Sequence, residues 1–186
     1  MSELYKLIRL PLLFSFMLFI VNGCRSKTDL PSTLSFVDPY IGGVGYLLKS
    51  TRPTSHLPNQ IIRMAPVRND YLDDQIRGFQ LSQETFNIMP FTGTPDAKAP
   101  VSRWDSQLEE ATPYFYSTWL EDYNITVEFT PGEKSGFFRF TFPKGSTKHL
   151  FVNVSEKDIV SLTDSDGLNI EKSSGGVKAF IYGEFN

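Results

Sequence analysis

Three side chains stand out as able to grip a polar ligand: Arg52, His56 and Trp104. Arg52 and His56 belong to the loop Ser50-Thr51-Arg52-Pro53-Thr54-Ser55-His56-Leu57-Pro58-Asn59-Gln60, irregular by its Pro, Ser and Asn content. An imidazole there serves either as a hydrogen-bond donor to a ligand or as a surface or structural residue. Arg52, like Arg63, suits a hydroxyl or a carboxylate, or else a surface ion pair of small energetic weight. Trp104 and Trp119 offer flat apolar faces of the kind that packs beneath the C–H groups of a sugar ring. Trp119 falls in a predicted strand, where core packing is the expectation, whereas Trp104 sits beside a loop. The acidic residues carry less. Glu109 and Glu110 are adjacent, so on a strand they face opposite ways and do not form an acid/base pair. Asp70, Asp73 and Asp74 miss the spacing of a calcium-binding EF-hand loop and read as a solvated acidic turn, as does Asp164-Ser165-Asp166-Gly167.

These residues need a scaffold, and the stretch from Ala111 to Pro143 declares its kind. Ile125, Val127 and Phe129 alternate with Thr126 and Glu128, the period-2 pattern of a half-buried strand. Pro131-Gly132 supplies a turn. Phe138, Phe140 and Phe142 then point one way, Arg139 and Thr141 the other. Tyr114 to Leu120 is a third strand, closed by Glu121-Asp122. Strands with one apolar face need a second sheet over it. Further strand candidates surround this ribbon: Ile61 to Ala65, ended by Pro66, Gly78 to Leu81, Phe86 to Met89, Leu150 to Val154, Leu168 to Ile170, and Val177 to Tyr182. Val67 to Gln75 reads as a helical turn and Thr92 to Arg103 as an exposed loop. Phe36 to Ile41 reads as a short strand entering the glycines of Gly42 to Gly45, which lack the Lys-Ser/Thr of a phosphate-binding loop. The expected fold is an all-β antiparallel sandwich. The last strand runs almost to Asn186 without a cap, which predicts an incomplete sandwich.

The totals narrow the function further. The chain has 186 residues, 40% of them hydrophobic, enough for one core. Net charge is −3, and no basic block exceeds a pair, so nucleic acid is not an expected partner. One Cys and two His leave no cysteine-based zinc site and no multi-histidine metal site within the chain.

That single cysteine has a setting of its own. Lys6 and Arg9 precede an apolar run from Leu10 to Val21, the length of a secretory signal core. It ends in Val21-Asn22-Gly23-Cys24, which resembles a bacterial lipobox, although Asn22 is larger than usual before the Gly. The expectation is a signal peptide over 1–23 and a lipid on Cys24, with several acyl chains giving firm membrane attachment. Residues 24–35 are polar and form a tether. No Asp follows Cys24 to retain the protein at an inner membrane, so the expected location is the outer membrane, facing the periplasm or the cell surface. A plain secretory signal or an N-terminal anchor helix is the other reading.

Residues 36–186 resemble the N-terminal domain of glycoside hydrolase family 92. Phe36-Val37-Asp38-Pro39-Tyr40-Ile41-Gly42 is similar to that family's "VDPFIGT" opening. Ser55-His56-Leu57-Pro58 with Ile62-Arg63-Met64-Ala65-Pro66 resembles its "GHTFPGATVPFGMVQLSP" segment. Glu110 to Tyr116, Ile125 to Thr130 and Phe138 to Pro143 resemble its "EAxPGYY…IxVELT…YxFTFP" run. The resemblance implies a β-sandwich packed on a large (α/α)₆ barrel in a calcium-dependent exo-α-mannosidase, commonly inverting and lipid-anchored. Inversion uses two carboxylates about 6.5–9.5 Å apart. In the family they come from the barrel, as do most calcium ligands, so these residues alone are expected to show no mannosidase activity. The substrate-binding set implied here is His56, Arg52 and Trp104, with an α-mannoside-type glycan as partner. The sequence departs from the pattern around His56: Leu57 replaces Thr-Phe, Asn59 replaces Gly, and Gly78 to Ser82 lacks the histidines of "GFSHTHLSG". The alternative is a non-catalytic surface lipoprotein that binds glycan or protein through the same sandwich.

Overall fold

The computed structural model describes residues 33–40, 53–69, 73–82, 86–95, 98–155, 157–163, 166–174 and 177–185. The chain divides into two units, Met1–Ser35 and Phe36–Asn186. Of the first, only Thr33 to Ser35 are described, opening a single 3₁₀ turn, Thr33–Phe36. The predicted signal peptide, Cys24 and Arg52 lie outside the described residues, as does the glycine run Gly42 to Gly45.

The second unit is built of antiparallel strands. One sheet joins β1 (Met64–Pro66), β3 (Phe79–Leu81), β4 (Phe86–Phe91) and β10 (His149–Val152), in that order. A second joins β6 (Glu110–Thr112), β7 (Phe115–Leu120), β8 (Ile125–Pro131) and β9 (Gly136–Thr141) as a meander. A third joins β11 (Ile159–Thr163), β12 (Gly167–Ser174) and β13 (Val177–Glu184), and β2 (Gln75–Ile76) pairs with β5 (Ser102–Arg103). Among the described residues no helix is long and apolar enough to cross a membrane.

The two four-stranded sheets face each other. Register puts Tyr116 opposite Phe129, Thr118 opposite Val127, and Leu120 opposite Ile125, all buried on one side of the meander. From the other sheet Phe79 meets Tyr116 edge-on at 6.1 Å between ring centres and Phe138 at 6.4 Å. Met64, Met89 and Ile76 complete this interior, and Ile170 of β12 joins it. Full burial of each such side chain contributes about 1.5–3 kcal/mol, which is what holds strands of this length together. Two glycines make room. A Cβ on Gly136 would stand 2.6 Å from the ring of Phe129, and Gly78, at φ +130°, has Asn87 Oδ1 2.2 Å from where its Cβ would be.

The alternation read from the sequence appears in the burial of β8 and β9: Ile125, Val127 and Phe129 go inward, while Phe137, Arg139 and Thr141 face out. The turn at Pro131-Gly132 is closed by Gly132 N–H donating to Ser135 O at 2.7 Å. Pro66 is tolerated within β1 because β1 is an edge strand. Four expectations need correction. Trp119 is not a core residue. It alternates with Thr118 and Leu120 onto the outer face, where its indole N–H donates to Asn124 Oδ1 at 3.1 Å. The helical turn expected over Val67 to Gln75 is absent among the described residues. The Asp73 carboxylate accepts from Asn69 N and Gln75 N, and Val67 pairs with Gly78 and Arg77 through the backbone. Such local capping by Asp competes with helix. Phe36 to Tyr40 is a 3₁₀ end and a turn, not a strand, because Asp38 Oδ1 captures Tyr40 N at 2.8 Å. The loop expected over Thr92 to Arg103 ends in β5, where Ser102 and Arg103 pair with Ile76 and Gln75.

Candidate functional site

The hairpin formed by β6 and β7 borders two polar groupings, one through Ser55 and one through Tyr116. On one side, Ser55 is fully buried and pairs with Met64. Its hydroxyl donates toward the carbonyls of Thr112 and Phe115, at 2.9 and 3.2 Å, on either side of the hairpin turn. This fixes the backbone entering His56, a half-buried residue. The segment beyond is held as well. Leu57 N donates to Gln60 Oε1 at 2.8 Å, and Gln60 in turn donates to Gly132 O. His56 Nε2 is shielded from solvent and has no hydrogen-bond partner in the protein. Shielded polar nitrogens are nearly always paired, so this atom calls for a partner from water or a ligand.

On the other side of the hairpin lies a polar cluster that the sequence did not announce. The Glu109 side chain is 1% exposed and ion-pairs with Arg68, itself 9% exposed. Glu109 Oε1 also accepts from the Tyr116 hydroxyl at 2.6 Å. The Arg68 guanidinium lies over the Trp104 ring, 3.6 Å from its centre. Trp104 is pinned by its indole N–H to Asp73 O at 3.1 Å and by its backbone N–H to Asp74 O at 3.0 Å. Burial pushes the Glu109 carboxyl upward, against the pull of Arg68, Tyr116 and Tyr40. Burial together with the Glu109 charge raises both the Tyr116 and the Tyr40 phenols.

Chemically this cluster is a filled node. One carboxylate is shared between a cation and the Tyr116 phenol, and Glu110 next to it is exposed. It supplies no second carboxylate for acid/base work. Of the substrate-binding residues expected from sequence, His56 adjoins the β6–β7 hairpin through Ser55, whereas Trp104 is held by Asp73 and Asp74 and lies under the Arg68 guanidinium. Arg52 lies outside the described residues. Arg63 is exposed. Glu109 escaped the sequence reading because its partners lie 41 and 7 residues away along the chain and nothing local marks them. The Glu109-Glu110 alternation signalled only that one of the two would face inward. Among the described residues, no group of three or more His, Cys, Asp or Glu is placed to hold a metal ion.

The glycosyl hydrolase family 92 N-terminal domain profile matches residues 36–185. No curated protein sequence matches the chain significantly. Among solved structures, the family GH92 α-mannosidase of Bacteroides thetaiotaomicron, solved in complex with mannoimidazole, superposes with a TM-score of 0.69 at 22% identity, over 80% of this chain and 24% of its own. An inverting mannosidase of the same family and species gives 0.66 at 20% identity, with 80% and 24% coverage. The family member ccman5 gives 0.60 at 20% identity, with 80% and 25%. The chain thus spans about a quarter of the length of these structures. With its strands, its order of motifs and its match over residues 36–185 in agreement, the chain belongs to glycosyl hydrolase family 92 through that family's N-terminal domain.

Proposed function

We propose that this β domain forms one wall of a carbohydrate site in a family-92 glycoside hydrolase, with bond cleavage performed outside these residues. The observation that carries the reading is His56: a shielded, unpartnered imidazole nitrogen beside the hairpin that Ser55 clamps. A sugar hydroxyl is a fitting partner for such an atom. Trp104 and Arg52 complete the proposed contact set. The relatives named above are mannosidases, which favours an α-mannoside-type glycan. An (α/α)₆ barrel would supply the paired carboxylates and the calcium ligands. We further propose that Cys24 carries lipid and anchors the protein at the outer membrane.

Titration with an α-mannoside, read by NMR of the His56 ring, tests the site. Binding that shifts this resonance and is lost in His56→Ala is the expected result, with no release of free mannose. Hydrolysis by this chain alone, or binding indifferent to His56→Ala, would sink the reading. For the anchor, Cys24→Ala should move the protein from the membrane to the soluble fraction.

A further inference from the structure

His56 lies in a segment held at both ends by side chains bonded to backbone carbonyls of the meander. At the near end, Ser55 Oγ stands 2.9 Å from Thr112 O and 3.2 Å from Phe115 O, the carbonyls that flank the β6–β7 turn. Its one proton is shared between them, and its backbone exchanges both hydrogen bonds with Met64, at 3.0 and 3.3 Å. At the far end, Gln60 Oε1 accepts from Leu57 N at 2.8 Å, and Gln60 Nε2 donates to Gly132 O in the β8–β9 turn. Between these ends the chain reverses at Pro58-Asn59. Proline presets φ at the first central position of such a turn, and Asn59 takes φ 60° at the second, a left-handed value that asparagine tolerates better than most residues.

We infer that Ser55 and Gln60 are positioning residues for the sugar contact made by His56. They act through the backbone on either side of the imidazole and not on the sugar. The segment 55–60 is fixed against two separate turns of one sheet, so a ligand at His56 Nε2 has no loop to order, and affinity gains by that preorganisation. This inference rests on the reading of His56 as a carbohydrate contact.

Methyl α-mannoside titrated into the full chain, followed through the His56 ring resonance, tests it. Ser55→Ala and Gln60→Ala are each expected to raise the dissociation constant about three- to tenfold, the range set by the loss of one neutral hydrogen bond. Both should still reach the wild-type ring shift at saturation. Ser102→Ala is the control. That hydroxyl is equally buried, donates to Arg103 O and accepts from Asp122 N, and has no bond to residues 55–60. Its dissociation constant should match wild type whatever its melting temperature. Wild-type affinity in both Ser55→Ala and Gln60→Ala overturns the inference and leaves the His56 site standing. Weakening matched by Ser102→Ala also overturns it, as a general loss of stability. Absence of binding by the wild type removes the site and the inference together. Should Ser55→Ala fail to fold, Gln60→Ala alone decides, since Gln60 is only half-buried.

Discussion

Strands β8 and β11 are written in nearly the same alphabet and end in opposite surroundings. β8 buries Ile125, Val127, Phe129 and Pro131, with Phe129 at 1% exposure. β11 exposes all five of its residues, including Ile159, Val160 and Leu162, the last at 78%. The difference is cover. β8 is an interior strand of its meander, and the β1–β3–β4–β10 sheet lies against its apolar face. β11 is an edge strand, and with β12 and β13 it forms a sheet whose inner contribution to the core is chiefly Ile170. The outer face of that sheet carries Phe180, 68% exposed, and Tyr182, 59% exposed, flanked by the Lys178–Glu171 ion pair. Apolar alternation therefore marks a strand, while the neighbouring layer decides whether its side chains contribute to stability.

The sharpest way to break this contrast is a matched pair of truncations. Phe129→Ala is expected to cost about 3–5 kcal/mol, because the transfer term and the cavity term both apply. Phe180→Ala should stay within about 0.5 kcal/mol, as for surface positions. Both are measured by urea denaturation. Comparable losses at the two sites would mean that the third sheet's outer face is covered in solution. Next in size, Gly78→Ala should cost about 3 kcal/mol by the same measurement, since φ +130° is strained for alanine and Asn87 Oδ1 occupies the space of the new methyl. A small effect there would show that the β3–β4 hairpin is looser than its geometry.

Within the covered region, Glu109→Gln keeps the shape of the side chain and removes both the charge that burial disfavours and the counter-charge of Arg68. Its pH dependence sharpens the test. The folded Glu109 pKa lies above its unfolded value near 4.5, so the stability linked to this group is fully present below that pH. It is lost as pH rises through the folded value. Asp122 and Glu128 act with the opposite sign. The backbone N–H of Arg103 and the guanidinium of Arg139, respectively, lower their pKa values, so their contribution exists above the unfolded pKa and fades in acid. Stability measured across the acid range should therefore lose its Glu109-linked decline in the Gln variant and keep the acid-side loss.

Much of the fold was legible. The alternation of Ile125, Val127 and Phe129, the Pro131-Gly132 turn, and the Phe138 and Phe140 face all appear where residue types and spacing placed them. β2, β5, β6 and β11 were not, being short or irregular in pattern: β2 and β5 have two residues each, too few to show a period. Trp119 misled because strand propensity says nothing about which face a residue takes until the register of its neighbours is known. At the candidate site, His56 and Trp104 were visible as residue types in suitable loops. The contact of Ser55 with Thr112 and Phe115, and the stacking of Arg68 on Trp104, were not.

The sequence by itself determined that this chain forms paired strands, where its strongest turns fall, and which family its motifs follow, because these depend on residue types a few positions apart. Only the tertiary structure decided that Glu109 rather than Glu110 turns inward, that Arg68 and Tyr116 gather on its carboxylate, and that His56 Nε2 is enclosed without a partner in the protein. Burial and charge pairing between residues tens of positions apart arise only when layers close on each other. The energy of a desolvated carboxylate is set by that enclosure and not by its place in the chain.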